Sequence, residues 1–259
     1  GGNEGGRVVF VDERLDLTLD DGTRLKISGI DPARPTPANP DLDEKGRESL
    51  ANWLRESLAN WLIGQNVEFR PIEPQRDRWG RVVAMVFAPE PAVSEPQSQG
   101  LLPVGEAILD ASLARYEARM ADDPCRDPLL AAETQGRASG LGLWADRYYA
   151  IIAAGARDSF LEKAGSTVIV EGQVTGLTVR NPRITLYFGP RKGSDFSVTI
   201  LPRGSKAFAA AHTRLAGLIG QTIRVRGLLD TRFGPQIEIS DLDALEVIGQ
   251  EQSTSRAAR

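Results

Sequence analysis

Apolar and polar residues alternate with a period of two where Leu15, Leu17 and Leu19 are interleaved with Asp16, Thr18 and Asp20, which predicts a strand with one buried face. Val8-Val9-Phe10-Val11 precedes it as a first strand, and Leu25 to Ile30 follow as a third. Asp21-Gly22 between the second and third runs has the composition of a hairpin turn. Pro32, Pro35, Pro37 and Pro40 then exclude regular structure, so residues 32–42 are expected to form a loop.

The next stretch, Asp43 to Ile63, changes to helical spacing, with Asp43 as N-cap and Gly64 as stop. It holds an identical tandem repeat, Arg47–Leu54 and Arg55–Leu62, each reading Arg-Glu-Ser-Leu-Ala-Asn-Trp-Leu. At roughly 100° per residue, eight residues rotate the second copy about 80° from the first. One apolar stripe cannot serve both copies. The helix is therefore expected to bury one copy and to leave Leu or Trp of the other partly exposed. The repeat reads as a local duplication, or as a partner-binding surface of Trp53, Leu54, Trp61 and Leu62.

Two further strands, Val67–Ile72 and Arg81–Phe87, flank a turn over Asp77–Gly80. Residues 89–100 read as a surface loop. Helical patterns follow at Val104–Arg119 and Pro128–Gly140, and Gly142-Leu143-Trp144 closes the first domain. Residues 147–165 are expected to link it to a second, strand-rich domain. There the runs are Val168–Val179, Ile184–Phe188 and Phe196–Leu201, a helix about Ser205–Leu218, then Thr222–Leu229, Gln236–Ile239 and finally Val247-Ile248.

Three strands, a helix and two strands is the order of a five-stranded OB barrel with a helix plugging one end. The first domain has the same core order. The expected architecture is α+β: two tandem OB barrels, over residues 7–146 and 166–248, with a tail at 249–259.

Composition narrows the chemistry. A single cysteine, Cys125, excludes an internal disulfide and a cysteine-based zinc site. His212, within a helical Ala-rich run, is the only histidine, so a zinc cluster or acid–base site that needs a second histidine cannot be assembled around it, and Gly-rich phosphate loops are absent. No apolar run approaches the roughly 18–20 residues of a membrane span. The start, Gly-Gly-Asn-Glu-Gly-Gly without Met, fits a processed or trimmed precursor, for which export is one reading.

Charge is uneven. Residues 1–164 carry 19 Lys and Arg against 27 Asp and Glu, whereas residues 165–248 carry 10 against 7. The acidic part repels a phosphate backbone at long range, which makes the C-terminal domain the better candidate for contact with nucleic acid.

Gly29-Ile30-Asp31 and the turn Asp77-Arg78-Trp79-Gly80-Arg81 together resemble the staphylococcal-nuclease, or thermonuclease, family. The whole chain is similar to bacterial members that carry an extra C-terminal module. The resemblance implies an OB-type first domain in which carboxylates hold Ca²⁺, a Glu acts as general base on water, and two arginines clamp the phosphate. Asp31 matches the second calcium-binding Asp and Arg81 the second clamping Arg. Lys26 sits where the first clamping Arg is expected and keeps its charge without its bidentate fork.

The remaining positions depart from the pattern. The first calcium Asp falls on Arg14 or on Leu15, depending on whether Val11-Asp12 or Asp20-Asp21-Gly22 is aligned, and neither binds a cation. Asp16 is one residue off that register, which in a strand turns a side chain to the opposite face unless a bulge intervenes. The family's Asp-x-Pro-Glu becomes Asp31-Pro32-Ala33-Arg34, so the general base falls on Arg34. Asp41 or Glu44 from the Pro-rich loop would have to replace it.

The expectation is a thermonuclease-like domain with a degenerate catalytic site. Arg14, Lys26, Arg34 and Arg81, opposed only by Asp31, would suit a phosphate-bearing ligand better than calcium. In the second domain Tyr187, Phe188, Phe196 and Phe233 are interleaved with Arg180, Arg183, Arg191, Lys192 and Arg232, as a single-strand-binding OB face requires. Alternation allows only one of Tyr187 and Phe188 to be a surface platform. Two other readings stand beside nucleic-acid binding: a residual calcium-dependent nuclease using Asp31, Lys26 and Arg81, and a scaffold holding a protein partner through the Trp53 and Trp61 helix.

Overall fold

The computed structural model describes residues 4–32, 44–73, 75–90, 100–118, 125–180, 183–201 and 214–248. The chain divides into two compact units, Gly1–Glu117 with Pro124–Tyr148, and Ala118–Asp123 with Tyr149–Arg259.

The first unit contains β1 (Glu4–Val11), β2 (Leu17–Leu19), β3 (Arg24–Ile27), β4 (Ile30–Pro32), α1 (Glu44–Leu62), β5 (Asn66–Pro71), β6 (Val82–Pro89), β7 (Leu101–Pro103), α2 (Val104–Asp110), β8 (Ala114–Tyr116) and α3 (Arg126–Ser139). The sheet order β3-β2-β1-β5-β6 is closed by a parallel β3–β6 pair, which makes a five-stranded barrel. Period-two alternation fills it: Leu17, Leu19, Leu25, Ile27, Val67 and Phe69 are all buried.

α1 buries the second copy of the repeat. Leu58 and Leu62 are fully enclosed, and Trp61 donates its indole N–H to the Pro89 carbonyl at 2.8 Å, while Trp53 is 50% exposed. The rotation of about 80° between copies sets Trp53 and Trp61 on different sides of the helix.

The helix expected over Val104–Arg119 ends at Asp110. Ser112 takes a left-handed backbone, φ 62°, and its hydroxyl donates to the Gly136 carbonyl at 2.9 Å. This stops the helix and releases residues 114–116 to pair with β4, where Asp31 faces Arg115 and Ile30 faces Tyr116. Gly136 allows the close approach of the helices, because a Cβ there would meet the Leu109 carbonyl oxygen at 2.2 Å.

The second unit holds β9 (Ile152–Ala153), α4 (Arg157–Glu162), β10 (Thr167–Gln173), β11 (Gly176–Arg180), β12 (Arg183–Tyr187), β13 (Ser197–Ile200), β14 (Thr222–Asp230), β15 (Gln236–Ile239) and β16 (Leu245–Ile248). Its pairing path is β11-β12-β13-β15-β14-β10-β9, with β16 on β14. The β13–β15 pair is parallel. The run Val168–Val179, expected as one strand, is divided at Val174-Thr175, and its halves pair at different ends of the path. Residues 147–165, expected as a linker, carry β9 and α4, and Phe160 of α4 stacks on Phe196 at 5.3 Å within the core. The helix expected over Ser205–Leu218 lies mostly outside the described residues, as does His212; Leu215 is buried in the core. No helix among the described residues is long and apolar enough to cross a membrane.

Candidate functional site

Arg81 is nearly excluded from water and is held by two carboxylates. Its guanidinium lies 2.5 Å from Asp16 Oδ2 and 2.7 Å from Asp77 Oδ2. Each partner comes from a turn that its local sequence builds. Asp77 Oδ1 accepts from the backbone N–H groups of Trp79 and Arg81, both at 3.0 Å, and Gly80 completes the turn at φ 75°. In the other turn Asp12 Oδ1 accepts from the N–H of Arg14 at 2.8 Å and of Asp16 at 2.9 Å.

The expectation that Asp16 points away from the site is corrected by this second turn. Leu15 adopts a left-handed conformation, φ 59°, which breaks the strict alternation and turns both Leu15 and Asp16 inward. Burial pushes the Asp16 carboxyl above its ordinary range and outweighs the hydrogen bond from Arg81. For Asp77 burial acts the same way, yet the hydrogen bonds from the Arg81 guanidinium and from backbone N–H groups prevail and hold it below that range.

Asp31 and Lys26 are also partnered. Asp31 is buried against Arg115, with Nη2 2.8 Å from Oδ2. Lys26 Nζ is 3.1 Å from Glu117 Oε2. Lys26 lies close enough to Asp16 to act on its charge. The structure thus draws Lys26, Arg81, Asp16 and Asp77 together, but the cations are not opposed by Asp31 alone. Arg14 leaves this group and lines a separate cleft with Phe10 and Arg55. Arg34 and Asp41 lie outside the described residues, and so does the Glu44 side chain.

Calcium does not fit this donor set. The two deeply buried carboxylates, Asp16 and Asp31, each face a guanidinium where a cation would sit. Among the described residues no group of three or more His, Cys, Asp or Glu side chains converges as a metal site.

Arg115 and Glu117 escaped sequence reasoning because residues 104–119 read as one helix. The alternation Ala114, Arg115, Tyr116, Glu117 was the available signal. Asp77 could have been found as the acidic start of the Asp-Arg-Trp-Gly-Arg turn.

In the second unit Tyr187 is half-buried on the side of β12 opposite the buried Ile184 and Leu186, in line with Arg183 and Thr185. Register sets Arg180 beside Arg183 across the β11–β12 pair. Lys192 Nζ stands 4.9 Å from the Tyr187 ring centroid. Phe188 takes the other direction and packs on Phe196 at 5.1 Å, as core. Arg191 is drawn towards Asp195, whose carboxyl is held below its ordinary range first by the Arg191 backbone N–H and then by Arg157. Arg232 is bound to Asp230, which it pulls down to about 2, and Phe233 is 81% exposed.

Neither a protein-family model nor a curated protein sequence matches the chain.

Proposed function

We propose that this protein is a thermonuclease-like, tandem OB-fold protein whose catalytic centre has become ion-paired structure, and that it binds single-stranded nucleic acid through its second unit. The observation that carries the reading is the capture of Arg81 by Asp16 and Asp77, with Asp31 captured by Arg115. A guanidinium with two carboxylate partners has little capacity left to clamp a phosphate, and a carboxylate against Arg115 has little left for calcium.

Shared topology supports the fold assignment. In the first unit the pairing order runs first, second, third, fifth, fourth strand, with third and fifth parallel. The second unit repeats that order if β10 and β11 are one bent first strand: β11-β12-β13-β15-β14-β10, with β13 and β15 parallel. The outward row of Arg180, Arg183 and Tyr187, with Lys192 over the ring, supplies the cations and the aromatic face that single strands bind.

Labelled single- and double-stranded DNA and RNA, incubated with the protein in calcium, magnesium or EDTA, test both halves of the reading. The expected result is retention of single strands that weakens with salt and with Tyr187→Ala or Lys192→Ala, and no cleavage in any lane. Metal-dependent cleavage lost in Asp31→Ala and Arg81→Ala would establish the residual nuclease instead. Absence of retention, with salt-insensitive co-purification of one protein dependent on the exposed Trp53, would establish the scaffold.

A further inference from the structure

The bulge in β1 between Val8 and Phe10 interrupts alternation, so that Val9 and Phe10 both face outward. Phe10 is 53% exposed, and it forms one wall of an open cleft of about 390 Å³. The turn after β1 supplies Asp12, Glu13 and Arg14, and α1 supplies Asn52 and Arg55. Asn52 and Arg55 are three residues apart and therefore share a helix face.

The charges in this cleft differ from those around Arg81. Neither Arg14 nor Arg55 has an ion-pair partner for its guanidinium among the described residues. Asp12 accepts from two backbone N–H groups through Oδ1 and keeps its charge and its second oxygen. What the cleft offers a ligand is two guanidinium forks, one aromatic face, one amide, the Glu13 carboxylate and the second oxygen of Asp12. We propose that this cleft is a binding site for a nucleoside monophosphate, with Arg14 and Arg55 on the phosphate, Phe10 against the base, and Asn52 and Glu13 as partners for base and sugar polar groups.

The chemistry selects that class. Asp12 and Glu13 balance the charge of the two guanidiniums, so their unpaired bidentate forks, and not a net positive field, select a phosphate. An exposed phenyl ring stacks on any base. An acceptor carboxylate beside the arginines disfavours a bare polyanion and favours a ligand that also carries hydroxyl donors. The site is independent of strand binding by the second unit, and it gives Arg14 the phosphate contact that the Arg81 cluster does not offer it.

Calorimetry with adenosine 5′-monophosphate, adenosine and inorganic phosphate on the full chain tests the proposal. The monophosphate is expected to bind at least about tenfold tighter than either fragment, and Arg14→Gln, Arg55→Gln and Phe10→Ser each to weaken it by about tenfold, with unchanged circular dichroism. Amide chemical shifts of the unsubstituted chain, followed during the titration, should move at residues 10–14 and 52–55, a readout that needs no variant to fold. No binding at millimolar nucleotide, shifts confined to other residues, or full affinity in the Arg14→Gln, Arg55→Gln double variant would each overturn the site. Shifts at residues 10–14 and 52–55 report this cleft alone and strand retention reports the second unit, so failure here and failure of strand retention are separate results. Displacement of the nucleotide by a 5′-phosphorylated oligonucleotide, but not by its 5′-hydroxyl form, assigns a strand end as the source; no displacement assigns the free nucleotide.

Discussion

Asp31 and Arg115 face each other across the β4–β8 pair, with Arg115 Nη2 2.8 Å from Asp31 Oδ2 and both side chains almost wholly removed from water. Removing one member of such a pair leaves the other charge buried. Asp31→Ala or Arg115→Ala is expected to lower stability by about 3–5 kcal/mol, whereas Asp31→Leu with Arg115→Leu should cost much less than the sum of the single changes. Denaturant unfolding of the four proteins measures the coupling, and strict additivity would show that the pair does not act as a unit.

The two carboxylates on Arg81 titrate in opposite directions from their ordinary value, and the signs follow. Asp16 is raised by burial, so the folded state holds its proton longer than the unfolded chain, and stability falls as pH rises from the ordinary carboxylate pKa towards the raised one. Asp77 is lowered, burial notwithstanding, by its hydrogen bonds from Arg81 and backbone N–H groups. Its contribution is present above the ordinary value and is lost as pH falls through the depressed one. Asp16→Asn should therefore remove the fall of stability with rising pH, and Asp77→Asn the loss at the acid end. Carboxyl-carbon chemical shifts against pH give both values directly, and the reverse order for the two residues would refute the assignment.

Replacement of Gly136 by Ala is expected to disturb the region through backbone contact alone. The added methyl would lie 2.2 Å from the Leu109 carbonyl oxygen, which cannot rotate away as a side-chain end can. A loss of about 1–3 kcal/mol is expected, as for overpacked cores. Hydrogen exchange should show weakened protection at residues 114–116 together with α2 and α3, because the stop at Ser112 depends on the Gly136 carbonyl.

The repeat in α1 offers an internal control, since identical residues occupy different surroundings. Leu58→Ala should cost about 2–5 kcal/mol, in keeping with its complete burial. Trp53→Ala, at a half-exposed position, should change stability by no more than about 0.5 kcal/mol. Trp61→Phe should fall between them, losing the hydrogen bond to Pro89, worth about 1 kcal/mol. Equal losses from Leu58 and Trp53 would mean that both copies contribute to the core.

Sequence alone determined the elements whose signals are local. Alternation over Leu17–Leu19 and Val67–Phe69 marks half-buried strands, Asp21-Gly22 and Asp77–Gly80 mark turns, and the 80° offset between repeat copies requires one to face away from the core. The tertiary structure alone decided which charges meet. Leu15 is turned inward by a left-handed backbone that no apolar pattern signals, and this carries Asp16 to Arg81. Residues 114–116 have enough helical character to read as part of a helix, and only the Ser112–Gly136 contact and the pairing with β4 make them a strand that brings Arg115 to Asp31. Helix and strand periods are properties of neighbours along the chain, whereas ion pairs over 65 and 84 residues depend on where the backbone has been carried. That is why the barrel's strands could be read from residue order, while the pairing of Arg81 with Asp16 and of Arg115 with Asp31 could not.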